Sequence, residues 1–161
     1  MKKAYIEKQD LVERTLLENY VLYYRLAYSY VHNEQDALDI VQTGCIKAIE
    51  KSHTLKEPRY VGTWIYRIMI NSTFKKVNEQ SKVTFIDSPK SQEPETSDSY
   101  TDIDLENAIE NLSDRERAII QLKYFEDFTL KEIAEILDMK ESTVKSTMYR
   151  SLEKLHLDLE S

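Results

Sequence analysis

The stretch "TLKEIAEILDMKESTVKSTMYRSLEKL", Thr129 to Leu155, decides how the rest of the chain is read. Thr129 with Glu132 three residues on has the spacing of a capping box, so a helix starts at Leu130. Ile133, Ala134 and Leu137 recur at helical spacing and face inward, and Ala134 is small where a second helix must cross closely. Asp138 takes the turn, where Gly is common; Asp tolerates the left-handed conformation better than most residues. Ser142 is the expected cap of a last helix whose inward residues are Val144, Met148, Leu152 and Leu155. That leaves Thr143, Lys145, Ser146, Thr147, Tyr149 and Arg150 pointing outward, as a recognition helix in the major groove requires. An ordinary amphipathic hairpin is the competing reading.

Upstream of this pair, "LSDRERAII" repeats the capping-box spacing at Ser113 and Glu116 and starts a helix expected to end near Glu126 or Asp127. Further upstream the pattern breaks. "SKVTFIDSPKSQEPETSDSYTDID" mixes Ser, Thr, Asp, Glu and two prolines with little periodicity, and reads as a mobile linker. The organisation is therefore two small domains, 1–80 and 104–161, joined by an acidic linker at 81–103. With 2 Gly and 3 Pro among 161 residues, turns suited to hairpins are scarce and an all-α fold is expected.

A net charge of −7 sits oddly with a DNA-reading helix. The acidity is unevenly spread: residues 1–80 carry +2, 81–103 carry −3 and 104–161 carry −6. Between Lys51 and Lys76 six basic residues face one acid, Glu57, and the presumed reading helix is mildly basic within an acidic domain. Phosphate neutralisation supplies most non-specific DNA affinity, so this chain alone is expected to bind DNA weakly.

In the first part, Leu11 to Val31 is an apolar segment rich in tyrosine, read as core-forming helix. Asn33 caps the next helix, on which Ala37, Val41, Gly44 and Ala48 fall on one face and Asp36, Asp39, Thr43 and Lys47 on another. That second face is either solvated or a partner surface. A third helix, "RYVGTWIYRIMINSTFKKVNEQ", carries a polar, basic and aromatic strip of Thr63, Arg67, Asn71, Phe74 and Lys75, with Trp64 at its edge. Rings stack on unpaired bases while cations track phosphates, so the strip suits melted DNA; helix packing explains Trp64 and Phe74 equally well.

Other chemistry has little support. Cys45 is read as a buried free thiol with no chemistry, and one cysteine forms no internal disulfide. His32, His53 and His156 lack metal-ligand spacing, and no phosphate loop or nucleophile motif occurs, so neither enzyme activity nor any cofactor or metal is expected. "MKKAYIEKQDLVERTLLENY" is not a secretory signal, and no run of about 18 apolar residues suggests a membrane span. A cytoplasmic protein without direct membrane insertion is expected.

Taken together, these segments resemble bacterial sigma factors of the extracytoplasmic-function class over nearly the whole chain. "QDALDIVQTGCIKAIE" is similar to the family's core-polymerase-binding helix, matching at Asp36, Ala37, Asp39, Val41, Gln42 and Ala48. "WIYRIMINSTFKK" resembles the helix that reads and melts the promoter's minus-ten element, matching at Trp64, Tyr66, Arg67, Ile68 and Asn71. The segment from Leu112 to Ser146 is similar to the domain that reads the minus-thirty-five element. Thr43, Gly44 and Cys45 depart from the family's usual Glu, Thr and large apolar residue, and Thr147 from a common basic one.

The resemblance implies an alternative sigma factor that directs promoter-specific initiation in response to an extracytoplasmic stress. By that resemblance Asp36, Asp39, Gln42 and Thr43 bind core polymerase. Arg59, Trp64, Arg67, Asn71, Phe74 and Lys75 meet the minus-ten element, and the loop "SHTLKEPR" helps hold a flipped base. Lys131, Ser142, Thr143, Lys145, Ser146, Thr147 and Arg150 meet the minus-thirty-five element. The implied partners are core RNA polymerase, promoter DNA as duplex and melted strand, and an anti-sigma factor, often membrane-anchored. Core polymerase would hold both reading domains at once, so avidity replaces net positive charge. The other readings of the residues are a stand-alone helix-turn-helix regulator and an adaptor that binds proteins.

Overall fold

The computed structural model describes the backbone of residues 2–86 and 107–160, with side chains from 3 to 81 and 107 to 156. The expected linker at 81–103 lies outside these residues, apart from the helical stretch to Ile86. Every described element is helical, and the chain divides into two compact units, Met1–Pro89 and Lys90–Ser161.

Unit one is three long helices packed against one another: α1 (Lys2–Val31), α2 (Glu34–Glu50) and α3 (Val61–Ile86). Its core is a single apolar cluster. Val12, Leu16, Tyr23, Leu26 and Ala27 of α1 meet Ala37, Ile40, Val41 and Ala48 of α2 and Ile65, Tyr66, Met69 and Ile70 of α3, all buried. A side chain as large as Ile65, fully removed from water, stabilises the unit by about 1.5–3 kcal/mol. Of the α1 tyrosines, Tyr23 and Tyr30 are buried, and Tyr23 meets Tyr66 edge-on at 5.1 Å between ring centroids. Tyr28 and Tyr20 stay exposed.

Local chemistry sets the helix boundaries. α1 stops at Val31 because His32 adopts a left-handed conformation, φ 52°, and its N–H closes back on the Tyr28 carbonyl at 2.8 Å. Asn33 then caps α2, its Oδ1 accepting from the Asp36 N–H at 3.0 Å. Two 3-10 turns, Ser52–Thr54 and Pro58–Tyr60, carry the chain into α3. At Gly44 a Cβ would run into the Met69 thioether, so the missing side chain is what lets α2 and α3 approach there. α3 continues to Ile86, past the expected end at 80: no Gly or Pro interrupts it before Pro89, and helix propagation is cheap once nucleated.

Unit two combines two short helices with one long one. After a helical turn at 107–110 come α4 (Asp114–Ile120), α5 (Leu130–Leu137) and α6 (Glu141–Glu160). Both expected capping boxes are formed. Ser113 Oγ accepts from the Glu116 N–H at 3.2 Å while Glu116 Oε1 accepts from the Ser113 N–H at 3.0 Å. Thr129 and Glu132 make the same pair at 3.1 and 3.0 Å. α4 ends at Ile120, and a wider π-type turn, Gln121–Phe125, reaches almost to the expected helix end. Asp138 is left-handed, φ 55° and ψ 51°, as its turn position requires.

One expected cap is absent: α6 begins at Glu141, so Ser142 lies inside its first turn. The Val144 N–H already bonds to the Lys140 carbonyl at 3.0 Å, which winds the chain two residues earlier than a Ser142 cap allows. Ile119, Leu122, Ile133, Ile136 and Val144 form the buried centre, with Met148 and Leu155 of α6 closing it. Leu152, expected inward, is half-buried, whereas Ser151 is fully buried.

Candidate nucleic-acid and protein interfaces

On α2 the outward face is a stripe at helical spacing. Gln42 and Thr43 are exposed and Asp39 is half-buried, with Gln35 Nε2 donating to Asp39 Oδ1 at 3.1 Å. Ile46 lies on the same stripe and is 58% exposed, an apolar group in the middle of polar ones, as protein interfaces often have. Sequence reading missed it; the seven-residue step from Asp39, two turns along, was the signal.

Asp36 sits elsewhere. Its carboxylate is turned toward α3, where Gln80 Nε2 donates to Oδ2 at 2.5 Å and Lys76 Nζ lies 3.8 Å from Oδ1. Cys45 is only half-buried, and that burial pushes its thiol up from the ordinary value, keeping it protonated.

On α3, Arg67, Asn71 and Lys75 are exposed and follow one another at four-residue steps along one face. Trp64 and Phe74 are half-buried, Phe74 with its ring edge-on to Tyr30 at 5.9 Å. Thr63, expected on this strip, is instead buried at 8% exposure. It lies at the strip's N-terminal end, in the first turn of α3.

Ahead of α3, Arg59 stands exposed in the 3-10 turn, its guanidinium 4.9 Å from the Tyr60 ring centroid and 3.9 Å from Glu57 Oε2. Tyr60, also exposed, escaped sequence reading although it precedes the strip directly. His53 of the same loop lies against Tyr5 of α1, the rings tilted by 31° with centroids 5.9 Å apart. Cation and ring side by side give this end of α3 the means to hold an unpaired base next to a phosphate.

In unit two, Ser142, Thr143, Lys145, Ser146, Tyr149 and Arg150 are all exposed on α6, and Lys131 is exposed in the first turn of α5. Thr147 contradicts the expectation: it is buried at 8% exposure, and its Oγ1 accepts from Arg150 Nη2 at 3.3 Å. The reason is periodic. Val144, Thr147, Met148, Ser151 and Leu155 share the face that packs inward, so Thr147 supports Arg150 instead of standing beside it.

Lys154 is also engaged internally, 2.9 Å from Glu116 Oε2. Burial alone would push the Glu116 carboxyl up, but hydrogen bonds from Lys154 and Ser113, with the Lys154 charge, hold it below its ordinary value. Glu116 thus ties the base of α6 to the start of α4. The lysines and arginines left on the outer face of α6 and its approach are Lys140, Lys145 and Arg150.

Among the described residues no group of three or more His, Cys, Asp or Glu gathers as a metal site, and no helix is long and apolar enough to cross a membrane.

A three-helix unit with polar and basic outer strips, followed by a helix-turn-helix, defines a nucleic-acid-binding class of protein. The family models locate it further: the "Sigma-70 region 2" model matches residues 9–83, and the "Sigma-70, region 4" model matches residues 102–155. The chain is 36% identical to the RNA polymerase sigma factor SigV of Bacillus subtilis (strain 168), over 99% of this chain and 96% of that protein. It is 29% identical to the ECF RNA polymerase sigma factor SigW of the same organism, over 84% of this chain and 82% of that one. In fold it is similar to the sigma factor RpoE from Bartonella quintana, solved in complex with the anti-sigma factor NepR, with a TM-score of 0.74, 21% identity and coverage of 92% and 96%.

The chain belongs to the RNA polymerase sigma factors, in their extracytoplasmic-function class. Proteins of this family are transcription initiation factors and not enzymes.

Proposed function

We propose that this protein is an alternative sigma factor whose two units divide the work of initiation between docking, melting and reading. Asp39, Gln42, Thr43 and Ile46 form the face offered to core polymerase. Arg59, Trp64, Arg67, Asn71, Phe74 and Lys75 meet the melted minus-ten element, with Tyr60 added to the set. Lys131, Ser142, Thr143, Lys145, Ser146 and Arg150 approach the minus-thirty-five duplex, and Thr147 acts from beneath through Arg150. The single observation that carries this reading is the co-occurrence, in one chain, of both family regions with an outward strip of matching chemistry on each.

Because core polymerase works in the cytoplasm, so does this protein. An extracytoplasmic stress releases it from an anti-sigma partner, often membrane-anchored, that covers the same surfaces; the structurally similar RpoE was solved in complex with an anti-sigma factor.

The test is co-purification with core polymerase followed by run-off transcription. A stand-alone regulator would give no promoter-dependent product. Lys145→Ala sharpens it. If Lys145 reads a base, transcription from the cognate promoter falls by the equivalent of about 1–3 kcal/mol while a scrambled upstream element is unaffected. If it holds a phosphate, all sequences weaken alike and the salt slope drops by about one. Unchanged transcription at several salt concentrations would remove α6 from the proposed interface.

A further inference from the structure

The docking face of α2 and the DNA strip of α3 belong to different helices, and one side chain links them. Asp36 presents both carboxylate oxygens to α3: Oδ2 accepts from Gln80 Nε2 at 2.5 Å and Oδ1 lies 3.8 Å from Lys76 Nζ. The two α3 residues are four apart, one turn, and so grip Asp36 from the same side. The other end of the link is held as well, since the Asp36 N–H is tied to the Asn33 cap at 3.0 Å. The ion pair is partly shielded, with 30% of the Lys76 side chain and 25% of the Asp36 side chain exposed, so salt screens it less than a surface pair.

The place of this link along α3 gives it consequence. Apolar anchoring of α3 runs through Ile65, Tyr66, Met69 and Ile70 and ends with Thr73, which is 1% exposed. From Phe74 to Gln80 no side chain is buried. Yet Phe74 and Lys75 belong to the strip offered to DNA, just where the core has let go. Lys75 and Lys76, neighbours in sequence, lie about 100° apart around the helix. Lys75 is exposed while Lys76 turns back to α2. The direction of Lys75 is therefore coupled to the grip on Lys76 and Gln80, with the Tyr30–Phe74 ring contact as a further restraint.

We propose that Asp36 is a positioning residue: through Gln80 and Lys76 it clasps the distal half of α3 and sets the direction in which Asn71, Phe74 and Lys75 meet melted DNA. It is then not a polymerase contact. This rests on the reading of α3 as the promoter-facing helix.

The experiment measures two affinities on reconstituted holoenzyme. One is for core polymerase. The other, at saturating sigma, is for the promoter that gives the run-off product, pre-opened as a bubble with mismatched strands. Asp36→Ala and Gln80→Ala should each weaken bubble binding on the order of fivefold, and the double variant should be no weaker than either, as coupled partners behave. Asp36→Asn keeps an acceptor for Gln80 but loses the charge paired with Lys76, and should fall between wild type and Asp36→Ala. Core affinity should be unchanged in all four.

A merely stabilising role would lower the melting temperature and leave bubble binding by formed holoenzyme intact, which would overturn the proposal. So would a loss of core affinity in Asp36→Ala without one in Gln80→Ala, the mark of a polymerase contact. Additive losses in the double variant would also overturn it. Arg67→Ala separates the two levels: if it leaves bubble binding unchanged, the reading of α3 fails; if it weakens binding while Asp36→Ala does not, only the clasp fails.

Discussion

The two units reach stability by different routes. In unit one, α1 has 30 residues and α3 has 26, and one continuous apolar cluster holds them together. In unit two, α4 has 7 residues and α5 has 8, lengths at which an isolated helix does not persist in water. Their ends carry the difference. Each begins in a reciprocal capping box, and α5 closes on a left-handed Asp138. Long helices can afford frayed ends because side-to-side packing dominates; short ones cannot, because unsatisfied end groups are a large fraction of the whole.

The contrast can be broken first at the core. Ile65→Ala should cost unit one about 2–5 kcal/mol, with loss of polymerase binding at physiological temperature. Denaturant unfolding should show the early transition in unit one and an unshifted one in unit two. If both units unfold together, they are not independent in stability.

A cap substitution should do the reverse on a smaller scale. Thr129→Ala removes the acceptor for the Glu132 N–H and should cost unit two about 1 kcal/mol, leaving polymerase binding intact. A cost well below that would mean that packing of Ile133 and Ile136, rather than the cap, holds α5 in place.

The smallest expected effect is electrostatic. Glu116 has a folded-state carboxyl held below its ordinary value, so its contribution is complete above the unfolded value, about 4.3, and is lost as pH falls through the folded one. Lys154 is 56% exposed, which keeps the contribution under about 1 kcal/mol. Unit two should therefore lose stability on acidification below that pH. Glu116→Gln should flatten this part of the profile, and an unaltered slope would assign the acid sensitivity to other carboxylates.

Much of unit two was legible in the sequence because its signals are local. Ser113 with Glu116, Thr129 with Glu132, and the turn at Asp138 all act over three or four residues, so spacing alone locates them. The buried set Ala37, Val41, Gly44 and Ala48 was equally plain, since small residues at helical spacing mark a close crossing. The three family segments could be recognised for the same reason: they are runs of adjacent residues.

What escaped lies at the edge of a helical face, as Asp36 does, or outside the α-helical pattern, as Tyr60 in its 3-10 turn does, or was an apolar group within a polar stripe, as Ile46 is. Thr63 and Thr147 turn out buried, Ile46 and Tyr60 exposed, and Asp36 faces α3 instead of the Asp39 stripe. Each residue turns the helix by about 100°, so periodicity locates the centre of a face well and its margins poorly. Whether a residue at the margin is covered depends on which neighbouring helix crosses there and how closely. Gln80 stands 44 residues beyond Asp36, and no local pattern joins them. The amino-acid sequence determined the elements, their ends and the family; the packing of α3 against α2 decided which way a marginal carboxylate points.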